Sequence, residues 1–168
     1  MPDNLETYVN KVFKQAKNFL QNNFPEIYED IGIKTGVIYK KKKTKYDYTM
    51  EYRPRIKCIQ LKAYEKPEKP KDNDIIRNAF GIKMRRKNSY LVSIIHELGE
   101  AMYMKELTNR NMIISYYDVE VSHNVATSLE MHALERLIEQ TKGKDRQDFM
   151  RRKKARLKDN KNHKLKGV

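Results

Sequence analysis

A histidine and two glutamates in the segment "HELGE", residues 96–100, have the types and spacing of a metal-binding helix. At about 100° per residue, His96 and Glu100 lie one turn apart on one helix face, so both side chains can reach one ion. Glu97 lies beside them, where a hydrolytic zinc site has its general base. Gly99 lets another element pack close to the helix backbone. A third ligand is still required.

Further histidines and carboxylates lie between residues 118 and 140, a segment that predicts a second long helix. Helical geometry places Glu120, His123 and Glu130 on one face of that helix. His132 lies nine residues after His123, about 180° away, so it cannot face the same ion. We expect His132 to be a surface or packing residue.

The run "SYLVSIIHELGEA" resembles the active-site helix of the zincins, the H-E-x-x-H zinc peptidases, and in particular of the ImmA/IrrE-type metallopeptidases. The resemblance covers roughly residues 50–138. It implies a zincin-like fold, one Zn²⁺ per chain and hydrolysis of peptide bonds, with Glu97 as general base. In gluzincin-like members the third ligand is a glutamate on a following helix. Glu120, twenty residues after Glu100 and followed by Asn124, occupies that place.

Glu100 departs from the family motif, which has a second histidine there. If Glu120 were the third ligand, the set of one histidine and two glutamates would be harder and less selective for zinc. If His123 binds instead, the usual two histidines and one carboxylate are restored with their roles exchanged. We therefore expect His96, Glu100 and His123 as ligands, with Glu120 as the alternative. Glu120 or Glu130 would then orient one of the histidines.

An α+β fold is predicted to position these residues. Apolar residues at helical spacing predict an N-terminal helix over residues 3–24, ended by Pro25. Residues 31–64 are rich in Ile, Val, Tyr and Thr, which predicts a small, mainly antiparallel sheet of two or three strands. Lys40–Lys43 would form a solvated hairpin tip, and Cys58 would be a small buried residue.

The segments around the motif complete the predicted order of elements. A short helix is predicted within residues 75–86. Asn88 or Ser89 is the expected N-cap of a long helix over about residues 90–108, which carries the motif. A second long helix follows over residues 118–140.

Most of the positive charge lies at the end of the chain. The 168 residues carry a formal charge of +14, and the segment after Thr141 has twelve Lys or Arg against three Asp. We therefore predict a zincin-like domain over residues 1–140 and a basic tail, flexible or partly helical, over residues 141–168. A single cysteine excludes a disulfide framework, and no apolar signal core or membrane span is evident, so an intracellular, cytoplasmic protein without membrane contact is expected.

Three functions are compatible with these features. The first is a zinc metallopeptidase acting on a protein or peptide substrate, aligned on the sheet edge, with Tyr116 or Tyr117 bonding the oxyanion. The second is a nucleic-acid-binding protein with a structural metal site, attached through residues 141–168. The third is a site for two metal ions, built from four glutamates and a histidine: Glu97, Glu100, Glu120, His123 and Glu130.

Overall fold

The computed structural model describes residues 4–41, 44–109 and 114–166. The described chain confirms the α+β class. Its helices and strands follow in the order α1 (Leu5–Asn23), β1 (Lys34–Tyr39), β2 (Tyr48–Arg53), β3 (Cys58–Ala63), β4 (Ile75–Arg77), β5 (Lys83–Arg85), α2 (Arg86–Asn109), α3 (Tyr116–Gln140) and α4 (Gly143–Lys166). None of the helices in these ranges has the length and apolar character needed to cross a membrane.

The N-terminal helix α1 is confirmed, and its ends have local causes. The Asn4 side chain caps it by accepting a hydrogen bond from the Thr7 amide at 2.8 Å. The helix ends at Asn23, just before Pro25, as expected. Its apolar stripe is buried against the rest of the molecule: Leu5, Tyr8, Val9, Val12, Phe13, Ala16 and Leu20.

The three-stranded sheet is mixed, and the expectation of a mainly antiparallel arrangement needs correction. Its order is β1-β3-β2, with β1 parallel and β2 antiparallel to β3. Because β1 and β2 lie on opposite sides of β3, Lys40–Lys43 cannot be the tip of a hairpin between paired strands. Lys42 and Lys43 lie outside the described residues. Cys58 is buried at the start of β3, as predicted.

A β-hairpin, β4–β5, replaces the short helix predicted in residues 75–86. The Asn78 side chain accepts hydrogen bonds from the amides of Phe80 and Ile82 at 3.0 and 3.1 Å. Gly81 has a φ of 76°, a conformation that glycine adopts without strain. The prediction was wrong because this turn chemistry outweighs the apolar spacing.

The expected N-cap of the motif helix was also wrong. α2 begins at Arg86, continuing directly from β5. The Asn88 side chain instead donates to Asp145 and Asp148 of α4, both at 2.9 Å, and Ser89 is buried. The start of α2 is thus held by tertiary hydrogen bonds to another helix.

α2 is the central element of the molecule. It packs against α1, β2, α3 and α4. Tyr90, Ile94 and Leu98 of α2 are buried in a core with α1 and the sheet. Val92 enters a second apolar cluster with Met84, Leu134, Leu137 and Phe149. The motif therefore lies on a helix whose position is fixed on several sides.

The segment predicted to be a flexible or partly helical tail contains the helix α4 (Gly143–Lys166). Phe149 is 1% exposed, and Asp148, Arg152 and Arg156 are also buried. These residues recur at helical spacing, so they form one face that packs on α2 and α3. The composition gave no sign of this, because most of the buried face consists of charged residues that find partners in the core.

Candidate metal centre

The site forms beside a close contact between α2 and α3. A Cβ at Gly99 would lie 2.9 Å from the Ala126 Cα, closer than side-chain packing allows, and 3.2 Å from the Ala126 Cβ. The expectation that Gly99 admits a neighbouring element is therefore confirmed. Because the helix backbones are so close, side chains on either side of Gly99 can meet those of α3.

Three side chains converge beside this contact: His96, Glu100 and His123. The His96 Nε2 lies 3.2 Å from the His123 Nδ1 and 3.6 Å from the Glu100 Oε1. The His123 Nδ1 lies 3.4 Å from the same Glu100 oxygen. The His96 side chain is buried, whereas His123 is about half exposed. One ligand atom from each residue thus forms a nearly equilateral triangle open to solvent at one side.

Counting protons shows that this triangle suits a cation. The His96 Nδ1 lies 2.9 Å from the Glu130 carboxylate, to which it donates its proton. A neutral His96 therefore offers a lone pair at Nε2, and Glu100 offers only acceptors. Of the three atoms of the triangle, only the His123 Nδ1 can then carry a proton. One proton cannot form hydrogen bonds along all three sides of the triangle. A shared metal ion, or an additional proton on His96, satisfies the triangle.

The separations match those of a zinc site. Tetrahedral zinc with bonds of about 2.0–2.2 Å places its ligand atoms about 3.3–3.6 Å apart. The three observed separations of 3.2, 3.4 and 3.6 Å lie in or beside that range. Two imidazoles and one carboxylate are a common ligand set for catalytic zinc, which keeps a fourth position for water or substrate. The residues present could therefore hold a single metal ion.

Glu130 orients His96, one of the two roles expected for it. Its side chain is completely buried and accepts from Arg152 and Arg156 of α4 as well as from His96. Burial opposes ionisation, but Arg152, His96 and Arg156 outweigh it and hold the pKa of Glu130 well below its usual range. The longer contact of 3.4 Å between Arg156 and the His96 Nδ1 joins two donors and is secondary.

The two motif carboxylates differ in environment. Glu97 is buried and accepts a hydrogen bond from the Tyr52 amide of β2 at 2.8 Å. Burial and the neighbouring Glu100 raise the pKa of Glu97 well above its usual value. Burial also acts against ionised Glu100, but hydrogen bonds with His123 and His96 outweigh it and lower the pKa of Glu100. Glu97 therefore tends to hold a proton while Glu100 remains a carboxylate.

Proton binding at His96 follows from the same contacts. Burial favours the neutral imidazole, but hydrogen bonds to Glu100 and Glu130 outweigh it and raise the pKa of His96. A metal ion would compete with that proton, so metal binding at this site would release protons.

The other residues considered in the sequence as ligands or oxyanion donors lie outside the triangle. Glu120 is exposed and is not part of the convergent group among the described residues. His132 is exposed, as expected. Tyr116 and Tyr117, considered for an oxyanion role, are 91% and 72% exposed at the start of α3. Because Glu130 is held by two arginines and Glu120 lies outside the group, the geometry does not favour two metal ions.

A cavity of about 370 Å³ opens on the site. Its wall includes Thr49, Met50 and Glu51 of β2, and Phe80 of the β4–β5 turn. The residues of the candidate site and two arginines also line it: His96, Glu97, Glu100, His123, Arg152 and Arg156. These arginines were not predicted as site residues from the sequence because they belong to the basic segment. Their spacing on one helical face with Phe149 was the available signal.

No protein-family profile, curated protein or solved structure matches this chain. Function is therefore inferred from the residues and geometry of the site.

Proposed function

We propose that the protein is a zinc-dependent metallopeptidase with one Zn²⁺ per chain, held by His96, Glu100 and His123. The observation that carries the proposal is the convergence of three ligand atoms, separated by 3.2–3.6 Å, beside the buried Glu97 carboxyl group. A zinc ion there would polarise a carbonyl oxygen and lower the pKa of water. In this proposal the ligand positions are exchanged relative to the zincin motif, with the carboxylate of Glu100 on α2 and the second histidine, His123, on α3.

Glu97 is the proposed general base. It is next to the ligand His96 on α2, and the Tyr52 amide fixes its carboxyl group by a 2.8 Å hydrogen bond. A cation in the site favours the ionised form of Glu97, which can then take a proton from the attacking water. The proton passes to the amine of the leaving group. Because burial otherwise favours protonated Glu97, the side chain is suited to both steps.

The edge of β2 is the proposed alignment surface for an extended peptide. β2 forms one edge of the three-stranded sheet. The Tyr52 amide points away from β3, toward Glu97, so the main chain of Met50 two residues earlier faces the same side. Met50 also lines the cavity beside the metal-binding candidates. Main-chain pairing here would bring a substrate strand past the site.

Matched variants test the metal site. We expect purified protein to contain about one zinc per chain by elemental analysis. His123→Ala should lose it, whereas His132→Ala, which alters an exposed histidine of the same helix, should retain it. Glu100→Ala should lose zinc and Glu120→Ala should retain it. Zinc retained by His123→Ala but lost by Glu120→Ala would overturn the ligand assignment.

The role of Glu97 is tested in zinc-loaded protein. Glu97→Gln preserves size and should retain zinc while lowering peptide hydrolysis by about 10²–10⁴-fold. Normal cleavage by a zinc-loaded Glu97→Gln variant would remove Glu97 as the base. Absence of cleavage by the parent protein across a diverse peptide library, with zinc bound, would favour a structural metal site.

Polyanion binding is a second candidate function, favoured by the outer face of α4. Arg146, Arg151, Lys154 and Lys158 are exposed there. Such a surface suits nucleic-acid phosphates through salt-dependent, sequence-independent contacts.

The test of polyanion binding uses substitutions, because α4 is packed into the core. Replacing Lys154 and Lys158 by Glu should weaken DNA binding and reduce the slope of log affinity against log salt concentration. The matched double variant at Lys11 and Lys14, exposed on α1, should have a much smaller effect. Equal effects of the two double variants would contradict a role of the α4 face.

A further inference from the structure

We propose that the cavity beside the metal-binding residues binds a carboxylate group of the substrate through Arg152, assisted by Arg156. The substrate would then be a peptide with an acidic side chain, or a terminal carboxylate, next to the cleaved bond. This inference rests on the proposed peptidase function and names its substrate class.

The position of the two arginines supports this proposal. Both side chains line the same cavity as His96 and Glu97, although each is only 6% exposed. The Phe80 ring lies 4.6 and 4.7 Å from their guanidinium carbons, which restrains both planar groups. Such restraint lowers the entropy cost of forming fixed hydrogen bonds with a carboxylate.

One hydrogen-bond donor of the arginine pair also remains available for an anionic ligand. Both guanidinium groups share the carboxylate of Glu130. Arg156 has a second, longer contact of 3.7 Å with Asp159. Arg152 binds Glu130 through Nε and one terminal nitrogen, and in the described parts of the chain its other terminal nitrogen has no hydrogen-bond partner. A buried cation with a remaining donor is stabilised by an anion that enters the cavity.

The arrangement also defines where the carboxylate belongs on the substrate. Arg156 lies 3.4 Å from the His96 Nδ1, on the opposite side of the imidazole ring from the Nε2 in the ligand triangle. Arg156 therefore lies at the Nδ1 edge of the His96 ring, away from the nitrogen that would bind the metal. This offset fits a carboxylate on a residue adjoining the cleaved bond.

Peptide pairs in zinc-loaded protein test this inference. One pair has Glu or Gln next to the cleaved bond, and another has a C-terminal acid or amide. Charge-assisted hydrogen bonds predict a kcat/KM about 10 to 100 times higher for the acid in one pair, and that pair identifies the source of the carboxylate. Arg152→Gln should bring this ratio close to one, whereas Lys144→Gln, at an exposed basic residue of the same helix, should preserve it.

The ratio of kcat/KM for the acid and amide peptides distinguishes carboxylate binding by Arg152 from positioning of Glu130 by Arg152. If Arg152 only held Glu130 in place, Arg152→Gln would slow acid and amide peptides equally and leave the ratio unchanged. That outcome, or a parent enzyme with equal rates on both members of each pair, overturns the inference while the peptidase proposal stands.

A binding measurement covers the case in which no peptide is cleaved, which would count against the peptidase function. N-acetylglutamine and the α-amide of N-acetylglutamate, each with one carboxylate, and N-acetylglutaminamide, with none, are titrated calorimetrically into zinc-loaded protein. Tighter binding of either carboxylate compound that is lost in Arg152→Gln supports the carboxylate site independently of catalysis. Equal or undetectable binding of all three compounds overturns it.

Discussion

Glu130→Gln is expected to destabilise the protein strongly even when no metal is bound. Glu130 is completely buried and its carboxylate accepts hydrogen bonds from Arg152, Arg156 and His96, the shortest of them 2.7 Å from Arg156. Glutamine keeps the volume but removes the negative charge, so two buried guanidinium groups lose their shared counter-ion. Its amide nitrogen would also face donors.

Breaking a buried ion pair by removing one partner costs about 3–5 kcal/mol. In a chain of this size each kcal/mol lowers Tm by about 2–4 °C, so we expect a decrease of roughly 6–20 °C. The measurement is urea denaturation and thermal unfolding in the presence of a chelator, which removes stabilisation by bound metal. In a separate titration, zinc affinity should fall by about 10–100-fold because His96 loses its orienting partner.

Glu135→Gln is the matched control. Glu135 also lies on α3 and also pairs with a basic residue of α4, Lys153, but at 3.8 Å and with a half-exposed side chain. Its loss should cost less than about 1 kcal/mol. Adding Arg152→Gln to Glu130→Gln should cost less than the sum of the two single changes, since they share one interaction. Equal destabilisation by Glu130→Gln and Glu135→Gln would refute the buried-charge argument.

Three further predictions concern helix packing. Gly99→Ala should lower the free energy of unfolding by about 1–3 kcal/mol, measured by chemical denaturation, and weaken zinc binding. The reason is that its Cβ would lie 2.9 Å from the Ala126 Cα and push α2 away from α3. An unchanged free energy of unfolding and zinc affinity would contradict the close contact. Phe149→Ala should lower the free energy of unfolding by about 3–5 kcal/mol, and Met150→Ala, at an exposed neighbour, by less than about 1 kcal/mol. Small losses of similar size in both variants would show that Phe149 does not anchor α4 in the core. Partial burial opposes ionisation of Asp145, but hydrogen bonds and ion pairs with the start of α2 outweigh it and lower the pKa of Asp145. The stabilisation by ionised Asp145 is therefore present above about pH 4 and is lost as the pH falls through the folded-state pKa. The difference in stability between the parent and Asp145→Asn should therefore be constant from about pH 7 to 5 and shrink toward pH 2; a constant difference throughout would contradict this.

The elements that the sequence predicted well are those with strong local signals. α1 has a continuous apolar stripe, and α3 begins with Ser115 and Asp118, which form a reciprocal capping box. The parallel pairing of β1 with β3 could not be predicted in this way, because pairing partners are chosen by contacts between distant segments. The same applies to the start of α2, where tertiary hydrogen bonds replace a local N-cap.

The candidate site was predictable where one helix face decided the arrangement. The spacing of His96 and Glu100 placed them together, and His132 was excluded by its angle from His123. Spacing alone could not choose between Glu120 and His123, because both lie on the side of α3 that faces α2 in a simple helical projection. The close packing at Gly99 brings His123 into the triangle and leaves Glu120 exposed.

α4 combines two kinds of charged residue that a count of charges does not distinguish. Its outer basic residues are solvated, as the composition suggested, but Arg152 and Arg156 reach the carboxylate that orients His96. The basic segment therefore contains two groups of residues with different physical roles. A truncation after Gln140 would remove both, and loss of zinc from that truncation would report an uncompensated Glu130 rather than any link between zinc and polyanion binding. Only substitutions on the outer face of α4 can separate the two roles.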